Sequence, residues 1–352
     1  MLRYNEYIGG VSVRYLLYNA DCAVAAFEYK QGMIVGFEAI EAALLPMQIR
    51  EASADGFAMW LRERAIDLNT FQHRQLAKEL IGSRDKTALA ITTHMFSVSD
   101  TFTCFTEGEF IPRDRLCRTE DQDIVSDFIL VSSDTSLRRD RLVTPNASTD
   151  GSFPKTWKYE NGEWWLYKIQ SADATRSECE ISRVLMKCKW DAAEYQYVGN
   201  NLTRIRSKNF VGQDEFFEPY DSLRFMFADK SDDDEVIYEN LSSLGANFEK
   251  AYRRILLADA LFTNTDRHMR NFGVIRSAKT GKILRLAPNF DNNQAYKSNP
   301  GGRYSDSMLR SFKACFDLTQ TDIIDLSTLI EACRKNEYLS EAAEIGVRFL
   351  NN

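Results

Sequence analysis

The sequence predicts an α+β, two-lobed fold with an N-terminal accessory region. Three observations carry this expectation. At 352 residues the chain has the length of two domains, or of one large two-lobed one. Asn161-Gly162, a strong short hairpin signal, leads into an amphipathic helical stretch. A second helical stripe, ending at Phe262, runs into a polar loop and then into another hairpin pattern. On this reading residues 1–125 form the accessory domain, 126–215 a small lobe and 216–352 a mostly helical large lobe.

Composition narrows the class of function. Hydrophobic residues make up 44% and charged residues 27% of the chain, as in ordinary globular proteins. The formal net charge is −7, with acids and bases interspersed. A broad basic face for nucleic acid is not expected, because phosphate backbones need clustered Lys and Arg. No apolar run reaches membrane-spanning length, and the first ten residues lack the basic and apolar regions of a secretory signal. No membrane partner is expected. The seven cysteines have no CxxC spacing, so they are read as reduced thiols in a cytosolic protein. The three histidines, His73, His94 and His268, are too scattered in sequence for a zinc site.

The elements follow in order. "YLLYNADCAVAAFEY" suggests two strands around an Asn-Ala-Asp turn. "ADGFAMWLRERAI" and "TFQHRQLAKELIG" suggest helices, the second ended by Gly82. Residues 134–151 are polar and turn-rich, a boundary or a functional loop. A two-residue turn at Asn161-Gly162 pairs Glu160 with Glu163 and sets Lys155 directly opposite Lys168, with Trp157 and Leu166 on the same face. Like charges directly opposite destabilise a hairpin. The pair makes sense around an anion; the alternative is that both ammonium groups extend into water. In "RSECEISRVLMKCKW", Glu178 shares a helical face with Ile181 and Leu185. A buried carboxylate there wants a cation; the alternative is a solvated acid at the edge of the stripe. "AAEYQYV" and "LTRIRSKNFV" read as strands. The acidic run Asp229–Val236 lacks the spacing of a calcium loop and reads as a solvated segment. The last 32 residues suggest two helices without evident chemistry.

The chemistry concentrates after the stripe Phe248–Phe262. "NTDRHMRNFG" places Asp266 and Asn271 five apart; a hairpin around Lys279–Lys282 follows, and "NFD" then delivers Asp291. Protein kinases space a base Asp and a metal-binding Asn in this way and bring a second Asp on a hairpin. The Asp can accept a hydroxyl proton. The Asn oxygen and the second Asp suit Mg²⁺, which prefers hard oxygen ligands. A Lys must neutralise phosphates and an acid on a helix must aim it. Lys168, Glu178, Asp266, Asn271 and Asp291 supply these five parts in the expected order. Asn264 has no assigned role beyond shaping the loop.

"NTDRHMRNFG" followed by "LAPNFD" resembles the signature of HipA-like kinases, which include the CtkA-type kinases of bacteria. Asp266, His268 and Asn271 follow that family's Asp-x-His-x-x-Asn order. "TPNASTDGSFPKTW" is similar to its phosphate loop, and "FSVSDTFTCF" to a further segment of CtkA-type sequences. The resemblance spans residues 95–295 and is specific at the two catalytic motifs. It implies a fold akin to protein and phosphatidylinositol kinases, ATP and Mg²⁺ as cofactors, and Ser/Thr of a protein as acceptor. It further implies that Lys168 contacts ATP phosphates, Asp266 is the base, Asn271 and Asp291 hold Mg²⁺, and His268 is a catalytic-loop residue of structural or electrostatic role. Lys155, Glu178, Ser148, Thr149 and Gly151 complete the nucleotide site, and Ser148 is a candidate for autophosphorylation. The chain departs from eukaryotic kinases in lacking G-x-G-x-x-G. A growth-inhibiting or defence role, with a separate antitoxin as partner, is implied by the family. A small-molecule or lipid kinase, and a non-catalytic ATP-binding pseudokinase, are the alternatives.

Overall fold

Alternation of buried and exposed residues makes Val13–Asn19 the strand β1, and a buried run makes Cys22–Lys30 its partner β2. They pair antiparallel around a turn at which Ala20 adopts φ 52°. Residues 11–69, 71–117, 122–131, 143–148, 154–200, 202–298 and 306–351 are described in this computed structural model. The chain divides into two compact units.

The first unit is Met1–Ile169 with Val211–Phe217 and Arg276–Ile283. β3 (Met33–Ala39) and β4 (Phe102–Thr106) flank the first hairpin and complete a four-stranded sheet of order β3-β2-β1-β4. Local sequence pattern predicts neither strand. The two expected helices are α1 (Ala54–Arg64) and α2 (Phe71–Ile81). The Ser53 hydroxyl caps α1 by accepting from the Gly56 N–H, satisfying a donor that the helix itself cannot. Gly82, at φ +70°, ends α2. α3 (Lys86–Thr92), α4 (Arg113–Leu116) and α5 (Gln122–Val131) follow. Leu17, Val24, Phe27, Phe57, Leu61, Leu76 and Leu89 are among the core of this unit.

The hairpin strands β5 (Lys155–Glu160) and β6 (Glu163–Ile169) have the expected register, Glu160 opposite Glu163 and Lys155 opposite Lys168. Asn161 and Gly162 both have positive φ, as the tight hairpin turn demands. Buried hydrogen bonds tie this hairpin to the elements before it. Asn146 Oδ1 accepts from Thr156 Oγ1 at 3.0 Å and from the Trp157 N–H at 2.6 Å. Ser126 Oγ lies 3.0 Å from Thr156 Oγ1. The hairpin belongs with these elements to the first unit, which ends at Ile169. The segment 126–215, expected as one lobe, is shared between the units. Arg276 is fully buried in the first unit and donates to the carbonyls of Ala43, Leu45 and Gly281.

The second unit is Gln170–Phe210, Glu218–Ile275 and Leu284–Asn352. It begins with α6 (Ala172–Lys187), capped by the Ser171 hydroxyl. β7 (Tyr195–Tyr197) and β8 (Arg204–Lys208) form an antiparallel pair. β9 (Glu215–Pro219) has its first three residues in the first unit and its last two in the second, and α7 (Tyr220–Leu223), α8 (Asp234–Ser243) and α9 (Ala246–Phe262) follow. The expected second hairpin is β10 (Gly273–Ser277) with β11 (Ile283–Leu286); its Arg276–Ile283 part belongs to the first unit. α10 (Ser307–Cys315), α11 (Gln320–Arg334) and α12 (Ser340–Leu350) close the chain. Ile181, Leu185, Leu257, Leu261, Leu329 and Phe349 join α6, α9, α11 and α12 in one core.

A buried ion pair locks α9 to α11. Arg253 Nε and Nη2 donate to the Asp322 carboxylate at 3.0 and 2.6 Å. Asp322 also closes a capping box with Thr319 at the start of α11. Burial alone pushes the Asp322 carboxyl up; the Arg253 guanidinium and Thr319 outweigh it and hold the group below its usual value. A lowered folded-state value means stability that is full above the unfolded-state pKa of about 3.9 and lost as pH falls through the folded one. The thermal stability gap between the protein and Asp322→Asn is expected to be flat above about pH 5 and to close in more acidic buffer. Melting curves across that range check it; a gap that widens on acidification contradicts it.

Candidate active site

All of the following geometry lies within the second unit. α9 ends in Thr263, whose left-handed backbone (φ 49°, ψ 51°) turns the chain out of the helix while its N–H donates to the Asp259 carbonyl. Asn264 then shapes the loop twice over. Its Nδ2 donates to Asp259 Oδ1 at 3.0 Å, and its Oδ1 accepts from the Asp266 N–H at 3.2 Å. The loop-shaping role expected for Asn264 is thus visible in two bonds.

Asp266 is partly exposed at the tip. Its Oδ2 accepts from Gln294 Nε2 at 2.8 Å. Among the described residues no donor engages Oδ1. Asn271 is buried, and its Nδ2 donates to the Asp266 carbonyl at 3.0 Å. Because the amide nitrogen is committed, the amide oxygen is the end left for a ligand. His268 is exposed; its Nδ1 accepts from the Arg270 N–H at 3.3 Å, and its carbonyl accepts from the Asn271 N–H at 2.8 Å. These contacts give His268 a loop-shaping place.

Arg267 organises the site. Its guanidinium is buried and forms a two-point ion pair with Asp259, Nε to Oδ2 at 2.8 Å and Nη2 to Oδ1 at 2.9 Å. Nη1 donates to the Asn271 carbonyl at 3.0 Å and to the Phe290 carbonyl at 2.6 Å. Nη2 also reaches Asn292 Oδ1 at 2.9 Å. One side chain therefore fastens the Asp266–Asn271 loop to the segment that carries Asp291. Burial opposes its charge, but Asp259 outweighs this and holds the guanidinium above its ordinary value. Asp291 sits at φ 59°, and its N–H donates to the Tyr195 hydroxyl at 3.1 Å. Gly273 completes the frame: a Cβ there would lie 2.2 Å from the Glu218 carbonyl oxygen, so the "NFG" glycine is sterically required.

The remaining expected residues are divided between the two units. Lys155 and Lys168 stand opposite one another in the first unit, and Lys168 is buried. The alternative of two ammonium groups in water does not hold for Lys168. Glu178, on α6 in the second unit, is wholly buried and accepts from Gln170 Nε2 at 2.6 Å. It is not a solvated acid: its helical face points into the core. Ser148 ends a short 3-10 turn, Pro145–Ser148, in the first unit. Thr149 and Gly151 lie outside the described residues.

Sequence reasoning missed Asp259, Arg267, Gln294 and Asn292. A signal existed for Asp259, the single acid within the apolar run Ile255–Phe262. A buried acid wants a cation, and Arg267 is eight residues on. No comparable signal marked Gln294, whose contact spans 28 positions.

No protein-family model matches the chain, and no curated protein does. Solved structures do. A chain of the Shewanella oneidensis MR-1 toxin–antitoxin complex of HipA, HipB and operator DNA is similar over 95% of this chain and 91% of its own, with 12% identity and a TM-score of 0.57. The fold is HipA-like. The proinflammatory kinase CtkA of Helicobacter pylori is similar over 56% of this chain and 88% of its own, with 13% identity and a TM-score of 0.40. Among the described residues of this HipA-like chain, no helix is long and apolar enough to cross a membrane.

Proposed function

We propose that this HipA-like chain is a serine/threonine protein kinase that uses ATP and Mg²⁺. The observation that carries the reading is the Arg267 guanidinium, which holds Asn271 and the Phe290–Asp291 segment on one nitrogen. Phosphoryl transfer depends mainly on positioning and electrostatics, and a tie between the Asp266–Asn271 loop and the segment that carries Asp291 supports that reading.

The roles follow from the residues. Asp266, anchored through Oδ2 by Gln294, accepts the proton of the incoming Ser or Thr hydroxyl on its other oxygen. The hydroxyl oxygen bonds to the γ-phosphorus, the bridging β–γ bond breaks, and ADP leaves. Asn271 Oδ1 and Asp291 would hold Mg²⁺ in this reading. Among the described residues no group of three or more His, Cys, Asp or Glu could hold a metal. That donor set suits an ion that keeps waters and takes the rest of its ligands from phosphates. Bound Mg²⁺ would neutralise charge developing on the phosphates. Lys168 takes the phosphate-contacting role and Glu178 the aiming role in this reading. HipA in the similar structure is in complex with HipB and DNA; by that likeness we extend the proposal to a separate regulatory polypeptide.

Incubation with Mg²⁺ and γ-labelled ATP tests the reading, with and without generic protein substrates. Label on protein, including the peptide that contains Ser148, is the expected result. ATP consumption without labelled protein would point to a small-molecule acceptor. Binding of ATP with no turnover in any condition would overturn the catalytic reading.

A further inference from the structure

Gln294 stands three residues after Asp291 in the second unit, on a fixed stretch of backbone. The Ala295 N–H donates to the Asn292 carbonyl at 3.2 Å. The Ala295 carbonyl accepts from Ser177 Oγ at 2.8 Å and from Ser298 Oγ at 2.6 Å. Asn292 is in turn held by Arg267. From this stretch Gln294 Nε2 reaches Asp266 Oδ2 at 2.8 Å. A carboxylate only accepts, so the end of the amide that meets it must be the NH₂. The orientation of the amide is thereby determined.

The other end of the same amide is an acceptor. Among the described residues nothing donates to Gln294 Oε1. Gln294 is half-buried, and Oε1 is not one of the buried polar atoms that lack a partner, so a ligand can reach it. Asp266 Oδ1 is open in the same way. A carboxylate oxygen and an amide oxygen therefore flank the Gln294–Asp266 hydrogen bond, both able to accept. A ligand that satisfies them needs two donors close together. A Ser or Thr residue within a polypeptide has that pair: its O–H and its own main-chain N–H sit on adjacent carbons, Cβ and Cα. An alcohol without a neighbouring N–H offers only the first.

We infer that Gln294 Oε1 receives the main-chain N–H of the acceptor residue while Asp266 Oδ1 receives its hydroxyl. Gln294 is then a specificity-determining residue as well as the anchor of the base. The substrate class it selects is a polypeptide read through its backbone at the acceptor. Side chains beside the acceptor play no part in this contact, so it favours peptides over small alcohols without favouring a sequence. The assignment rests on the kinase reading.

The test uses the full chain, Mg²⁺, γ-labelled ATP and two degenerate peptide mixtures. One mixture is centred on serine and the other on N-methylserine, which keeps the hydroxyl and loses the N–H. The N-methylserine mixture is expected to be labelled about tenfold more slowly, the worth of one hydrogen bond. In Gln294→Leu both mixtures are expected to slow and the difference between them to vanish, with KM for ATP unchanged. A merely structural role for Gln294 would slow both and keep their ratio. Equal labelling of the two mixtures by the parent overturns the assignment, whether or not the variant folds. A ratio that persists in Gln294→Leu overturns it too, since methylation would then act elsewhere. Label that reaches proteins but neither mixture also overturns it, because a backbone contact needs no particular sequence. No label on any acceptor overturns the kinase reading, and the role of Gln294 falls with it.

Discussion

Asp266→Asn is expected to fold normally and to lose phosphoryl transfer by about a hundred- to ten-thousand-fold, the usual contribution of a general base. The substitution is isosteric. The Gln294 Nε2 donor that reaches Asp266 Oδ2 at 2.8 Å can donate equally to an amide oxygen, and the Asp266 carbonyl that Asn271 needs is untouched. An amide cannot take the acceptor's proton. Melting temperature should therefore stay within a degree or two of the parent while label transfer collapses. Asp291→Ala should reach a similar loss by a different route, removal of the proposed Mg²⁺ ligand, and raised Mg²⁺ should recover part of it. Transfer by Asp266→Asn within tenfold of the parent would sink the assignment of the base.

The second large effect is at Arg267. Arg267→Ala leaves the Asp259 carboxylate buried without its two-point partner, which costs about 3–5 kcal/mol. It also releases the Asn271 and Phe290 carbonyls and Asn292. Stability and activity should fall together. The double variant Asp259→Leu/Arg267→Met separates the two effects. Replacing a buried ion pair by apolar residues of similar volume is often neutral, so stability should largely return. Activity should not, because no methionine can hold two carbonyls and an amide in place. Arg267→Lys is informative in the same way: the charge is kept, but the planar fork that serves several acceptors at once is lost. Urea unfolding and label transfer on the same samples check both. Recovery of transfer in the double variant would show that Arg267 serves stability alone.

These expectations rest on contacts of unequal visibility. The hairpin register at Asn161-Gly162 was legible because turn chemistry is local and a two-residue turn leaves one pairing. α1, α2 and α9 were legible because apolar residues recur at helical spacing. Phe248 marks the limit of that rule: it falls on the stripe of α9 yet is only partly buried, since it sits in the first turn. Strands β3 and β4 were not legible. Each is defined by pairing with a distant or already paired strand, and strand preference is largely a matter of that context.

The sequence by itself determined the parts of the candidate site and their order: a base Asp, an Asn five residues on, a hairpin, and a second Asp. Local spacing suffices for those, because one loop and one turn carry them. Tertiary structure alone decided how the parts are held. The Arg267–Asp259 pair, the Gln294 bond to Asp266 and the burial of Glu178 join residues whose partners no periodicity announces. The meeting of Asn146, Ser126 and Thr156 in the interior has the same origin: a buried polar group takes whichever partner the fold brings to it, at any separation along the chain.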